Sequence, residues 1–192
     1  MKQISSRGGV VVIIITISIL HGCSTSKRSA VNKSIPERNI SALSSTAHKS
    51  NVPARKIDTK NVSAEELVSF AQTLIGIKYK YGSSKKEDGF DCSGFINYVF
   101  SHFNIKVPRS SVEFTNAGTA VDPVNSRKGD IILFTGADTT GWIVGHMGII
   151  TENGALGLRF IHAASGNNKG VMISGMNSYF YPRFVKVIRV FR

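Results

Sequence analysis

Five short β-rich runs dominate the C-terminal part of this 192-residue chain: DIILF (130–134), HMGIIT (146–151), RFIHA (159–163), GVMIS (170–174) and RFVKVIRVF (183–191). Glycine, Asn and Asp punctuate them at hairpin spacing, a pattern that antiparallel strands satisfy and parallel strands do not. Two helical segments precede them. In NVSAEELVSFAQTLIGIKY, Ser63 and Glu66 form a capping box, Leu67, Phe70, Ala71, Leu74 and Ile75 form an apolar stripe, and Gly76 is placed to stop the helix. After the loop KYKYGSSKKEDGF, Asp91 is a good N-cap for a second helix with Phe95, Tyr98 and Val99 on its apolar face, and VPRSS (107–111) breaks the chain after it. Helices first and strands afterwards predict an α+β domain over 63–192, its helices packed on one side of a five- to six-stranded antiparallel sheet. Roughly 130 residues are enough for one hydrophobic core.

The N-terminal third reads differently. Lys2 and Arg7 precede the apolar run VVVIIITISIL (10–20), which is too short to cross a bilayer core of about 30 Å and suits a signal peptide over 1–22. LHGC (20–23) resembles a bacterial lipobox, with Cys23 as the lipidated first mature residue; His21 is an unusual occupant, and cleavage elsewhere or an uncleaved anchor is the alternative. Residues 23–62 are rich in Ser, Asn, Thr and Lys and lack aromatics, so they are expected to be a flexible tether. The tether carries eight basic residues against Glu37 and Asp58, half of the chain's net charge of +12. That suits a membrane or an anionic wall polymer. Nucleic acid is not expected as a partner, because the folded part is only mildly basic and has no aromatic–basic repeat.

With Cys23 lipidated, Cys92 in GFDCSGF is a lone thiol in an exported chain, either reactive or inertly buried. Its place at a helix start favours the thiolate and predicts a lowered pKa. Ser93 and Gly94 are small, leaving room for a substrate carbonyl near first-turn N–H groups that cradle an oxyanion. A cysteine nucleophile needs a base. His21 leaves with the signal peptide, His48 lies in the tether, and His102 is about 15 Å along the same helix as Cys92. His146 and His162, both at strand positions, remain as base and orienter respectively. Structural histidines are the competing reading; zinc is disfavoured because the ligand spacings are long.

The region 63–192 resembles the NlpC-type superfamily of bacterial cell-wall cysteine peptidases. YKYGSS, DCSGF, VPRSS, KGDIILF, GHMGII and FIHAASGNNKGV follow one another in the family's order. The resemblance implies a papain-like fold with the nucleophile at a helix N-terminus. It also implies hydrolysis of peptidoglycan stem peptides, typically between γ-D-glutamate and a diamino acid, without metal or cofactor. By matching position, Cys92 is the nucleophile, His146 the general base and His162 the third, polar member. Tyr79 is expected near the nucleophile, and with Asp91 and Ser93 it makes the substrate and oxyanion contacts. The expected protein is a monomer, held through lipid on Cys23 to the outer membrane and facing the periplasm. Ser83 and Phe114 stand where many relatives have glycine and glutamine, and Trp142 in GADTTGWIVG (136–145) is a candidate substrate platform. The alternatives are a wall-binding lipoprotein without catalysis, and a Cys–His amidase or acyltransferase acting on another amide.

Overall fold

The computed structural model describes residues 56–166 and 169–192. Cys23, the expected signal peptide and most of the expected tether lie outside the described residues. The end of that tether, from Lys56, does not behave as composition suggests: Ile57 is buried and Val62 packs against the core, so the packed domain begins before Ser63. A single isoleucine in a polar segment is enough to tie it down when a hydrophobic groove receives it.

Helix α1 spans Ala64–Gln72 and opens with the capping box, Ser63 Oγ accepting from Glu66 N–H and Glu66 accepting from Ser63 N–H. Its last turn loosens earlier than the stripe predicts. Leu74 stays buried while Ile75 is exposed, and Gly76 adopts φ +91° beyond the helix. Two short strands, β1 (Ser84–Lys85) and β2 (Gly89–Phe90), form a small antiparallel hairpin inside the segment expected to be loop. Helix α2 follows over Cys92–His102, with Asp91 as N-cap. Just beyond it, Asn104 has a φ of +54°, the left-handed conformation that asparagine tolerates.

Strands β3 (Thr119–Val121), β4 (Ile131–Thr135), β5 (Val144–Gly154), β6 (Gly157–Ala163), β7 (Val171–Gly175) and β8 (Phe184–Arg189) form one sheet in the order β3-β8-β4-β5-β6-β7. Every described pairing in it is antiparallel. This is the α+β arrangement that the order of segments predicts.

Strand β4 explains why DIILF is continuously apolar rather than alternating. Ile131 and Leu133 face the side covered by α1 and α2, with Leu67, Phe95 and Ile96. Ile132 and Phe134 face a second core with Phe160, Phe180 and Phe184. A central strand buried on both faces has no polar face to present. The second core is closed by the segment leading into β8, where a 3₁₀ turn (Tyr181–Arg183) follows buried Phe180. Burying both faces puts a wall of aromatic side chains behind the strands that carry His146 and His162.

Candidate active site

The start of α2 is held by a polar knot. Asp91 Oδ1 accepts from Gly94 N–H and from Ser93 Oγ, while Asp91 and Ser93 together receive the Arg109 guanidinium, whose Nη2 also donates to the Gly82 carbonyl oxygen. Arg109 belongs to VPRSS, and Ser111 of the same stretch donates to the Val144 carbonyl oxygen at 3.4 Å. The motif therefore ties the helix that begins at Cys92 to the strand that bears His146. Asp91 and Ser93 are buried in this knot and their side chains are not among those lining the cleft. Gly94 has a physical reason different from substrate access: a Cβ there would collide with the Ser83 carbonyl oxygen, which accepts from Asp91 N–H at 3.0 Å. The close approach is the protein's own loop against the first turn.

Cys92 opens into a cleft of about 540 Å³ that is also lined by Tyr79, His146 and His162. Tyr79 is placed there by backbone pairing on both sides: its residue bridges Phe90 in parallel, and its N–H donates to the Lys169 carbonyl oxygen at 3.1 Å. Burial, then the neighbouring Cys92, Asp91 and Tyr81, raises its pKa above the ordinary phenol value, so the hydroxyl keeps its proton and remains a donor.

The two histidines meet across β5 and β6. Continuing the Ile149–Ile161 pairing one step places Gly148 opposite His162, and His146 lies two residues away on the same face. Gly148 leaves the room: a Cβ there would lie 2.7 Å from Phe160 Cδ2 and 3.2 Å from His162 Cβ. His146 Nε2 and His162 Nδ1 share a 2.8 Å hydrogen bond, and His162 Nε2 and Ser174 Oγ share one of 2.9 Å. With Nε2 engaged, Nδ1 is the ring nitrogen that His146 has for the thiol. A proton on His146 Nε2 and another on His162 Nε2 let both bonds form with one donor each, ending on Ser174 as acceptor. Ser174 is on β7, two residues beyond Met172, the cross-strand partner of His162, so it is the diagonal neighbour on the same face. Sequence reasoning missed it, because that neighbourhood depends on strand register.

The electrostatics depart from the expected lowered thiol pKa. Burial, then Asp91, pushes Cys92 up to about 11, outweighing the N–H groups of Ser93, Cys92 and Met147 that pull it down. A helix start favours the thiolate, but a cysteine only 9% exposed loses more from desolvation than it gains there. Burial lowers His146 to about 4. It lowers His162 to about 3, with smaller contributions from His146 and Lys169. Phe180 supplies much of this dry surround, with its ring centroid 6.4 Å from His146 and 5.6 Å from His162. At neutral pH the site therefore rests as a neutral thiol beside neutral imidazoles. Cys92 Sγ lies 3.7 Å from the Gly145 carbonyl oxygen, a long contact that holds the thiol next to the strand that carries His146.

Other residues singled out by sequence lie elsewhere. His102 stacks on Phe70 at 3.7 Å between ring centroids, and Phe114 is fully buried in the helix-side core. Gly136, Ala137 and Gly145 line the cleft, but Trp142, the candidate platform in the same segment, is not among the lining residues.

This chain is similar to several characterised proteins. Gamma-DL-glutamyl hydrolase of Bacillus subtilis (strain 168) is 36% identical over 137 residues, covering 70% of this chain and 32% of that protein. Murein DD-endopeptidase MepS/Murein LD-carboxypeptidase of Escherichia coli (strain K12) is 35% identical over 138 residues, covering 71% of this chain and 65% of that protein. The chain thus spans about a third of the first relative and just under two thirds of the second. Among solved structures, an NlpC/P60 family protein from Bacillus cereus ATCC 10987 superposes with a TM-score of 0.60 at 26% identity, covering 69% of this chain and 41% of that one. The NlpC/P60 family model matches residues 76–189, which contain Tyr79, Cys92 and both histidines, and the chain belongs to the NlpC/P60 family.

Proposed function

We propose that this protein is a peptidoglycan endopeptidase that hydrolyses stem-peptide amides, at γ-D-glutamyl–diamino acid bonds, by a Cys-His-His mechanism. The observation that carries the reading is the 2.8 Å His146–His162 hydrogen bond in the cleft that Cys92 opens into. The names of the relatives, a gamma-DL-glutamyl hydrolase and a murein endopeptidase/carboxypeptidase, support the substrate class.

In this mechanism Cys92 Sγ attacks the amide carbonyl as its proton passes to His146 Nδ1. The neutral resting pair makes proton transfer part of the attack rather than a prior step. The imidazolium is stabilised through Nε2–H by His162, whose own proton lies toward Ser174. Tyr79 O–H and first-turn N–H groups receive the tetrahedral oxyanion. His146 then protonates the departing amine, leaving a thioester on Cys92. A water molecule loses one proton to His146 and attacks the thioester. The C–S bond breaks, the Cys92 thiolate recovers a proton from His146, and the acyl half leaves as a carboxylic acid that ionises in solvent.

We place the chain on the outer membrane, facing the periplasm, through lipid on Cys23; LHGC is the support for the lipid, and Ser24, unlike an inner-membrane retention residue, is the support for the membrane. Fatty-acid labelling that is lost in Cys23→Ala tests the anchor. Digestion of purified peptidoglycan by the full chain, wild type beside Cys92→Ala, tests the reaction. New stem fragments from wild type alone, with masses that place the cut at the γ-glutamyl bond, are the expected result. An undigested stem, with the protein folded, overturns it.

A further inference from the structure

Among the described residues, the cleft is lined by two cations, Lys169 and Arg183, and by no Asp or Glu. Arg109, Arg159 and Arg189 each pair with a carboxylate elsewhere in the domain. Arg183 has no such partner among the described residues. Its Nη1 donates to the Tyr179 carbonyl oxygen at 2.9 Å, and its Nε–H is buried without any hydrogen-bond partner. The guanidinium carbon sits 4.0 Å from the Tyr179 ring centroid, so stacking and the Nη1 bond hold the planar fork at the cleft. A fork held in place loses little entropy when it takes a carboxylate. Lys169 adds a second positive charge whose field reaches His162.

We propose that Arg183, assisted by Lys169, is a carboxylate subsite of this cleft, selecting peptides that carry a free carboxylate on a residue flanking the scissile amide. The inference rests on the γ-glutamyl reading above and deepens it. An amide through the glutamate side chain leaves that residue's α-carboxylate free, whereas an ordinary α-peptide bond consumes it. On the amine side, a diamino acid that ends the peptide, or one with a second carboxyl group such as diaminopimelate, supplies the other flanking carboxylate. With no Asp or Glu among the described residues that line the cleft, either anion meets positive charge, and its neutral amide forfeits the charge-assisted bond.

The test uses the full chain purified in detergent and a stem peptide with free carboxylates. Matched versions carry an amide at the glutamate α-carboxylate, at the diamino-acid carboxylate, or at both. In wild type, one of the single amidations lowers kcat/KM by about tenfold or more, and which one does so identifies the carboxylate. Arg183→Gln brings that free-to-amidated ratio close to unity, Arg183→Lys keeps part of it, and Lys169→Gln reduces it less. An unchanged ratio in Arg183→Gln overturns the proposal. So does a wild type indifferent to both amidations, or a variant slowed equally on all four peptides. Calorimetric binding of the same peptides to Cys92→Ala, with and without Arg183→Gln, separates this from failure of the hydrolytic reading. Carboxylate-dependent binding without turnover by wild type keeps the subsite and sinks the reaction. Binding that ignores the carboxylates sinks the subsite.

Discussion

Acid should unfold this domain earlier than its carboxylates alone would allow, because buried His162 and half-buried His146 are both neutral in the fold. In the unfolded chain both imidazoles titrate near 6.5. In the folded protein burial lowers them to about 4 and about 3. Between those values the unfolded state binds more protons than the native state, so stability rises with pH through that window and falls on acidification from about 6.5 toward 4. A native pKa depressed by more than two units costs roughly 2–3 kcal/mol per histidine between pH 7 and pH 4.5, or about 5 kcal/mol for the pair. That is a large part of the ~5–15 kcal/mol that stabilises an ordinary domain. Glu66 and Asp138 hold pKa values below the ordinary carboxylate range, so their contributions are lost only at lower pH and leave the window to the histidines. Urea unfolding at pH 7, 5.5 and 4.5 measures the slope. The control is His146→Asn/His162→Gln, which removes both titrating groups and should flatten the slope over this window even though its absolute stability is lower. A wild type whose stability hardly changes from pH 7 to 4.5, or a double variant with the same slope, would refute the reasoning.

Three further perturbations act on other parts of the architecture. Ser174→Ala removes the acceptor at the end of the histidine chain; kcat should fall about tenfold with little change in KM, Ser174→Thr should restore part of it, and an unaffected kcat would remove Ser174 from the relay. Gly94→Ala drives a methyl group into the Ser83 carbonyl and should cost about 1–3 kcal/mol, seen as a drop of several degrees in Tm by circular dichroism; an unchanged Tm would mean that the loop yields freely. Arg189→Met strands Asp130, which is 1% exposed and receives Arg189 Nε and Nη2 at 2.9 and 2.8 Å; urea midpoints should report a loss of about 3–5 kcal/mol, and a loss below 1 kcal/mol would mean that the carboxylate finds water.

Much of the fold was legible because it is written locally. The capping box at Ser63 and Glu66, the N-cap at Asp91 and the glycine punctuation of the strands each depend on residues a few positions apart. Antiparallel pairing then follows from short connections, as in the β5–β6 hairpin, where Gly154 and Gly157 face each other across the turn. The small β1–β2 hairpin and β3 escaped notice because strands of two or three residues are too short to establish a period. Residues 56–62 were misjudged for a related reason: average composition says polar, while one isoleucine decides the packing.

The site divides along the same line. By itself the sequence determined which groups are available: a lone thiol at a helix start, two histidines at strand positions, and a tyrosine and VPRSS in the family's order. Only the tertiary structure decided what those groups are like. Strand register made Ser174 the diagonal neighbour of His162, and Gly148 the gap that admits the imidazole. Burial in the helix-side core, with Asp91 beside it, turned a thiol expected to be acidic into one pushed up to about 11. Arg183 and Lys169, distant from Cys92 along the chain, became cations of its cleft. The physical reason is common to all of these. Capping and periodicity are set by bonds a turn apart, whereas desolvation and field are sums over neighbours that only folding brings within reach.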